Sequence, residues 1–553
     1  MKNKIVLQIL GLCVLTYLLG IFFVPLMDID ATQYASMSRE MLLHGNYLQL
    51  YDLGYDYLDK PPMLFWLSSI SLRLFGIHDW AYRLPSFLFS LLAIYSTYRL
   101  ALLFYKREIA VLSAVVLASC QAMFLINHDV RTDTMLIGWV TCSIWQLAEW
   151  YQYHKWKNWV FAAIAIAGGM MTKGPLALMI PVFAFVPHLV FRRNWKEFVQ
   201  WQYLPMILLI AVLLIPMSIG LYQQYDLQPG KIVVGKKIDS GLRFFYWTQS
   251  FGRITGENTQ RENGSILFQL QNMLWSFLPW ILFFLIGLIA AIKAVMQKRF
   301  LLTNKEECIT LSGFLVTYLA LGTSKVQLPH YIFVVFPMAA IITANFLHNL
   351  LYTNEWQKWR KPLFVIHAVI FFLLWIALLS LIALPFKNIP VFVPVIAGVF
   401  FVAFIFLVAT KRLPIPKLLA ICLFTSIGLN IFLNTAFYPA LLQYQTGNIA
   451  AAFINGNKLP KDKVFIYGDV VEAGRSLYFY GEYFFKKISN VQDLKTGDYV
   501  LASQKDYEEL VKRKEASVIF KGKGFPVTKL SLKFINPATR EAELQPFYVV
   551  QIK

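Results

Sequence analysis

Apolar runs of about 20 residues, the length needed to cross roughly 30 Å of hydrocarbon as a helix, recur along the chain between short polar connections. They fall near 6–26, 80–103, 109–126, 134–151, 159–172, 175–191, 203–221, 266–292, 308–323, 331–351, 363–385, 389–410 and 417–436, which predicts thirteen spans. The first run follows a positive start and has no small-residue cleavage site, so it is expected to be a retained span rather than a signal peptide. The apolar segment 63–75 is too short to cross and is expected as an interfacial helix within the first outer loop, 27–79. After residue 437 the pattern changes. KVFIYGD, GDYVLAS, ASVIFKG, KLSLKFI and FYVVQI read as short strands, with helix-like GRSLYFYGEYF and KDYEELVKRK among them. The expected organisation is a helical membrane domain over 1–437 and a small α/β domain over 438–553.

Composition agrees with that class: 58% of the 553 residues are hydrophobic, against roughly 45–50% in soluble domains. The net charge of +20 would suit nucleic acid, but the cations are short clusters between apolar runs. The clusters Lys2/Lys4, Lys106/Arg107, Lys155/Lys157, Arg192/Arg193/Lys196, Lys293/Lys298/Arg299, Lys358/Arg360/Lys361 and Lys411/Arg412/Lys417 all fall on the side of the amino terminus when thirteen spans are threaded. Cytoplasmic loops carry such an excess, so the clusters orient the chain and leave the tail on the outer face. The cysteines Cys13, Cys120, Cys142, Cys308 and Cys422 are dispersed in or beside apolar runs, with neither metal-ligand spacing nor a disulfide framework.

The outer connections hold the candidate chemistry. The first loop carries Asp28, Asp30, Asp59 and Lys60, and acids beside hydrocarbon cost about 2.5–3.5 kcal/mol unless satisfied. Further along lie Arg131 and Asp133, Lys173 in a Gly-Pro turn, Arg243, Arg253 and Glu257, Lys325, His330 and Tyr331. Acids surrounded by cations suit an anionic phosphate substrate attacked at a sugar carbon: cations stabilise the departing phosphate and a carboxylate takes a proton from the acceptor. Each residue also has a plain structural reading. Asp28 and Asp30 end a span, Asp59-Lys60-Pro61-Pro62 makes a surface turn, Asp133 favours a helix amino terminus, and Lys173 reaches the interface. His330 reads as a satisfied interfacial histidine, and His128 stands next to Asp129 without the i, i+4 spacing of a zinc helix. The tail shows no nucleophile elbow, phosphate-binding glycine loop or histidine-rich metal spacing, which places the chemistry in the membrane part.

Taken in order, Asp30-Ala31-Thr32-Gln33-Tyr34-Ala35, Arg39-Glu40-Met41, Tyr57-Leu58-Asp59-Lys60-Pro61-Pro62, Arg83-Leu84-Pro85, Arg131-Thr132-Asp133, Met171-Thr172-Lys173-Gly174-Pro175, Pro329-His330-Tyr331 and Tyr444-Gln445-Thr446-Gly447 resemble the bacterial GT-C glycosyltransferases. That family includes protein O-mannosyltransferases and the lipid A aminoarabinose transferases, and the second subgroup is the more similar, with thirteen spans and a periplasmic α/β tail. The resemblance covers almost the whole chain. It implies a polyprenyl phosphate sugar donor, inverting transfer, an inner-membrane location and a site on the periplasmic side. Asp30 corresponds to the first-loop catalytic acid, and Asp133 and Lys60 match positions used in the cavity. Asp59 stands where many members have Glu. The implied catalytic pair is thus Asp30 and Asp133, and the implied donor and substrate contacts are Lys60, Asp59, Tyr34, Arg131, Lys173, Arg253, Lys325, His330 and Tyr331. Ala31 replaces a frequent acid, and Gln33 replaces an arginine usual in the aminoarabinose enzymes, removing one phosphate contact.

Several readings stay open at this level. No metal is demanded, although a divalent ion bridging carboxylates and phosphate fits the same residues. The acceptor is lipid A or protein, and the chain is expected to act as a monomer without nucleic-acid partners. A lipid-linked sugar transporter is the rival from another class, against which stand acids clustered at one face and halves without evident repeat. A noncatalytic envelope scaffold would leave the first-loop acids unexplained.

Overall fold

The computed structural model describes residues 3–553 except 234, 250–251, 253–264, 304–305, 387, 412 and 469–473. All thirteen apolar runs are helical, in the order α1 (Asn3–Phe23), α4 (Asp79–Phe104), α5 with α6 (Arg107–Ala118, Gln121–His128), α7 (Thr132–Tyr153), α8 (Trp156–Lys173), α9 (Leu176–Phe191) and α10 (Tyr203–Leu221). They continue as α11 with α12 (Ile266–Ser276, Ile281–Gln297), α13 (Ile309–Gly322), α14 (Phe336–Tyr352), α15 (Arg360–Ala383), α16 (Phe392–Ala409) and α17 (Lys417–Phe432). Among the described residues seven helical stretches are long and apolar enough to cross a membrane, and α5–α6 forms an eighth bent by 51°. Two expected single spans are therefore broken. The run 109–126 bends at Ser119-Cys120, and 266–292 divides around Pro279, whose missing N–H and ring stop the helix.

Burial separates two kinds of helix. α16 buries only Ala397 and Phe404, and its exposed Val395, Val399, Val402 and Phe406 form a lipid-facing surface. α7 lies inside the bundle against α4, α8 and α9, with most of its residues buried. It carries Asp133, Gln146 and Glu149 because protein rather than lipid surrounds it.

The first outer loop folds as α2 (Asp30–His44), a two-stranded ribbon of β1 (Tyr51–Asp52) and β2 (Tyr55–Asp56), and α3 (Met63–Phe75). α3, the expected interfacial segment, packs on α2 and α4 through Leu64, Phe65 and Leu72. Glu40, buried on α2, accepts the Leu53 and Gly54 N–H groups at 2.8 Å each and pins the ribbon's turn to the helix. A second ribbon, β3 (Lys231–Val233) with β4 (Lys236–Ile238), follows α10.

The tail contains α18 (Thr446–Gly456), α19 (Gly474–Tyr480), α20 (Gln504–Arg513) and a five-stranded mixed sheet. Its strands are β5 (Val464–Tyr467), β6 (Lys486–Ile488), β7 (Tyr499–Ser503), β8 (Ala516–Gly524) and β9 (Gln545–Ile552), in the order β6-β5-β7-β9-β8. β5 pairs in parallel with β6 and β7, while β9 is antiparallel to β7 and β8. One expected strand is corrected: KLSLKFI forms a turn and the short helix Leu532–Ile535, begun by the Ser531 hydroxyl accepting the Phe534 N–H. Its alternation reflects Phe534 entering a cluster with Phe386, Phe437 and Phe525 while Leu532 stays exposed, rather than pairing in the sheet.

Candidate active site

Helix ends at one face of the bundle deliver the charged residues. Asp30 opens α2, Asp133 lies in the first turn of α7, and Lys173 closes α8, so each sits where the helix dipole favours its sign. Gly174 follows with φ +85°, a conformation open to glycine, and with Pro175 it ends α8 so that the Lys173 side chain reaches α7.

Arg131 is the hub. Its guanidinium pairs with Asp30, donates from Nε to Asp129 Oδ2 at 3.0 Å, and lies 3.4 Å from His330 Nδ1. Burial acts to lower its pKa, but the facing Asp129 and Asp30 outweigh it, so its charge is held more firmly than that of a free arginine. Next to it, Lys173 pairs with Asp133, and its ammonium stands 3.8 Å from the centre of the Tyr331 ring. The other Asp133 oxygen faces His330 Nε2 at 3.5 Å. His330 thus bridges the two ion pairs, and Lys60 adds a third cation within electrostatic reach of Asp133.

Exposure divides the carboxylates. The Asp133 side chain is 2% exposed, that of Asp30 34% and that of Asp59 53%, so Asp30 and Asp59 face the solvent side while Asp133 is enclosed. Asp59 and Lys60 contact each other at 2.8 Å. Lys60 also lines a small cavity of about 20 Å³ with Tyr57, Leu58, Met217, Leu221 and Phe245, where α10 meets the first loop. Tyr34 is buried between Asp30, Asp59 and Tyr57, and burial, followed by the Tyr57 phenol and the Asp30 and Asp59 carboxylates, raises its phenol pKa well above the usual value, keeping it a neutral hydroxyl.

Asp30, Asp133, Lys60, Asp59, Tyr34, Arg131, Lys173, His330 and Tyr331 therefore converge. Lys325 does not join them: it is exposed in the connection after α13 and makes no ion pair among the described residues. Arg253 and Glu257 lie outside the described residues. No group of three or more His, Cys, Asp or Glu side chains among the described residues is placed to hold a metal ion.

Three features were not assigned from sequence. Asp28 is an anchor: its carboxylate accepts the Ser476 N–H at 3.0 Å, the Ser476 hydroxyl at 2.7 Å and the Thr32 hydroxyl at 2.5 Å, tying the first loop to α19. Burial raises its pKa, and these hydrogen bonds oppose the shift. Gln33, standing where an arginine was expected, donates to Asp52 at 2.7 Å, and Arg475 from α19 pairs with the same carboxylate. Arg83 is fully buried and donates to the carbonyls of Ile21 at 2.8 Å, Val24 at 2.6 Å, Pro25 at 3.0 Å and His128 at 2.9 Å. The only sequence signal for this last role was its place in the Arg83-Leu84-Pro85 motif. Contacts spread from residue 21 to residue 476 carry no local signature.

Comparison with known proteins bears on the fold and on the family the chain resembles. Residues 59–219 match the family model described as dolichyl-phosphate-mannose-protein mannosyltransferase. An undecaprenyl phosphate-alpha-4-amino-4-deoxy-L-arabinose arabinosyl transferase of Erwinia tasmaniensis is 29% identical over 337 residues, 60% of this chain and 57% of that protein. The corresponding protein of Photorhabdus laumondii is 27% identical over 340 residues, again 60% and 57%. The match thus spans a little over half the length of these curated relatives. Among solved structures, ArnT from Cupriavidus metallidurans bound to undecaprenyl phosphate superposes with a TM-score of 0.75 at 17% identity, covering 99% of this chain and 98% of that one. An Archaeoglobus fulgidus oligosaccharyltransferase follows at 0.52 and 13%, covering 91% and 69%. The chain therefore has the fold of the GT-C glycosyltransferases, and within that fold it resembles the aminoarabinose transferases.

Proposed function

We propose that this chain is an integral-membrane glycosyltransferase that moves a sugar from undecaprenyl phosphate to an envelope acceptor, lipid A, with inversion at the anomeric carbon. The observation that carries the reading is the pair of carboxylate–cation contacts joined by His330, Asp30 with Arg131 and Asp133 with Lys173, beside Lys60. Similarity to enzymes named for an undecaprenyl phosphate-linked sugar supports the donor class. The acceptor oxygen attacks the sugar carbon, the bond from that carbon to the phosphate oxygen breaks, and the electron pair leaves on polyprenyl phosphate. Lys60, Arg131 and Lys173 are the cations placed to stabilise that charge.

Asp30, the more exposed acid of the two pairs, meets the acceptor. Toward a hydroxyl it acts as general base; toward an already ionised lipid A phosphate it orients the nucleophile through Arg131. Asp133 is enclosed and acts by holding Lys173 and His330 in place. The lipid chain lies against α10, whose apolar face borders the Lys60 cavity. The chain sits as a monomer in the bacterial inner membrane with site and tail domain toward the periplasm, the orientation its basic clusters favour. The donor set holds the phosphate with side-chain cations and no resident metal; a chelator that abolishes transfer, with Mg²⁺ or Mn²⁺ restoring it, would put a bridging ion in their place.

The test compares envelope lipids and proteins by mass spectrometry from cells carrying the intact gene or Asp30→Asn at matched protein level. A glycan mass lost from lipid A supports the proposal. The same mass lost from proteins selects a protein acceptor, the reading favoured by the family model's name. No change in either pool removes Asp30 from catalysis and returns the lipid-linked sugar transporter.

A further inference from the structure

At the membrane face opposite the carboxylates, two cavities meet at Tyr352. α5–α6 and α17 run from that face toward the site and α14 runs from the site back to it, so the starts of α5 and α17 and the end of α14 gather there. One cavity, about 500 Å³, is lined by Lys106 and Arg107 from the start of α5 and by His348 and Tyr352 from the end of α14. The other, about 670 Å³, is lined by Tyr352, Lys411 and Lys417 with Leu413 and Ile415. Both volumes lie in the range of roughly 300–1,000 Å³ usual for small-ligand sites.

Lys106, Arg107 and Lys411 are exposed and form no ion pair among the described residues, although Glu108 borders the same hollow. His348 keeps a buried Nδ1 without a hydrogen-bond partner, beside the Tyr352 ring. Lys417 rests its ammonium 4.8 Å from the centre of the Phe364 ring. A general excess of cytoplasmic cations would leave them fanned into solvent. Here they line two adjoining open hollows that also carry Val111, Leu112, Leu413 and Ile415, a mixed basic and apolar lining of the kind that holds phosphate headgroups while acyl chains lie along the helices.

We propose that this hollow binds the phosphate headgroup of an anionic phospholipid in the leaflet opposite the active site. The inference rests on the membrane-spanning fold and not on the transfer reaction, so its test contains no activity measurement. Thermal unfolding of the detergent-purified chain is followed by tryptophan fluorescence with tetraoleoyl cardiolipin, phosphatidylcholine or inorganic phosphate, and native mass spectrometry counts the lipid retained. Cardiolipin should raise Tm by a few degrees, and phosphatidylcholine and inorganic phosphate should not. Lys106→Gln/Arg107→Gln/Lys411→Gln, all at exposed positions, should weaken cardiolipin binding about fivefold per cation removed. Lys293→Gln/Lys361→Gln, exposed cations assigned to the same face but outside the hollow, should leave it unchanged. Equal protection of the triple variant, or equal loss in the second, overturns the site in favour of diffuse charge. Protection by inorganic phosphate matching that by cardiolipin overturns the lipid as its occupant.

Discussion

Arg83 offers the sharpest test of how the fold holds the site. α1 ends at Phe23, and the Ile21 and Val24 carbonyls beside that end are buried in protein, with the Pro25 carbonyl partly so. Buried carbonyls at a helix end need donors, and the Arg83 guanidinium gives them to Ile21, Val24 and Pro25 while a fourth bond reaches His128. The first three fix the connection that leads to Asp30, and the fourth fixes the end of α6 that leads to Asp129, Arg131 and Asp133. Arg83→Met keeps much of the volume but removes every donor. At about 1–3 kcal/mol for each buried acceptor left unpaired, the three fully buried ones give on the order of 3–9 kcal/mol, comparable with the whole stability of a typical protein at about 5–15 kcal/mol. The Met variant should not accumulate folded. Arg83→Lys keeps the charge but has three donors on a point-like ammonium, so it should fold with a loss of about 2–4 kcal/mol. Thermal unfolding in detergent reads the stability, and amide hydrogen exchange locates the change. The Lys variant should lose protection around residues 24–30 and 128–133 together, and Arg99→Met, which removes a more exposed partner of Glu149, should change stability by less than about 1 kcal/mol. A folded Met variant near wild-type stability, or loss of protection at only one of the two segments, would refute the reasoning.

Three further outcomes follow from the same geometry. Lys173→Met leaves the enclosed Asp133 carboxylate without its cation and should cost about 3–5 kcal/mol in thermal unfolding, whereas Lys173→Met/Asp133→Asn should cost less than the sum of the single changes. Asp28→Ala, which strips Ser476 and Thr32 of their acceptor, should cost about 1–3 kcal/mol, and Asp28→Asn less. Because burial raises the Asp28 pKa in the fold, its charge is a cost fully present above the folded pKa and relieved as pH falls toward the unfolded value near 3.9. Wild type should accordingly lose stability relative to Asp28→Asn as pH rises through that window and run parallel to it above, as pH-dependent denaturation would show. Arg475→Ala removes a partly exposed pair with Asp52 and should weaken stability by about 1 kcal/mol while making the junction of tail and first loop more sensitive to limited proteolysis.

The periodic features were legible because they are local. Apolar runs of spanning length became helices, Pro279 broke one of them, and the alternating segments KVFIYGD, GDYVLAS, ASVIFKG and FYVVQI became β5, β7, β8 and β9. KLSLKFI misled because alternation reports only that successive residues face different surroundings, and packing of Phe534 against Phe386 produces the same signal as a sheet. At the site, the acids and cations could be named and grouped by membrane side. Their partners could not: Arg131 finds Asp30 across 101 residues and His330 across 199, while Asp28 is enclosed by Ser476 of α19, 448 residues away. The sequence by itself determined the class of protein and which stretches become apolar helices, since hydrophobicity and helix propensity act over a few residues. Which carboxylate is buried, which stays open to an acceptor and which cation each one holds was decided only by tertiary structure, because desolvation and ion pairing depend on neighbours that the chain brings together from far apart.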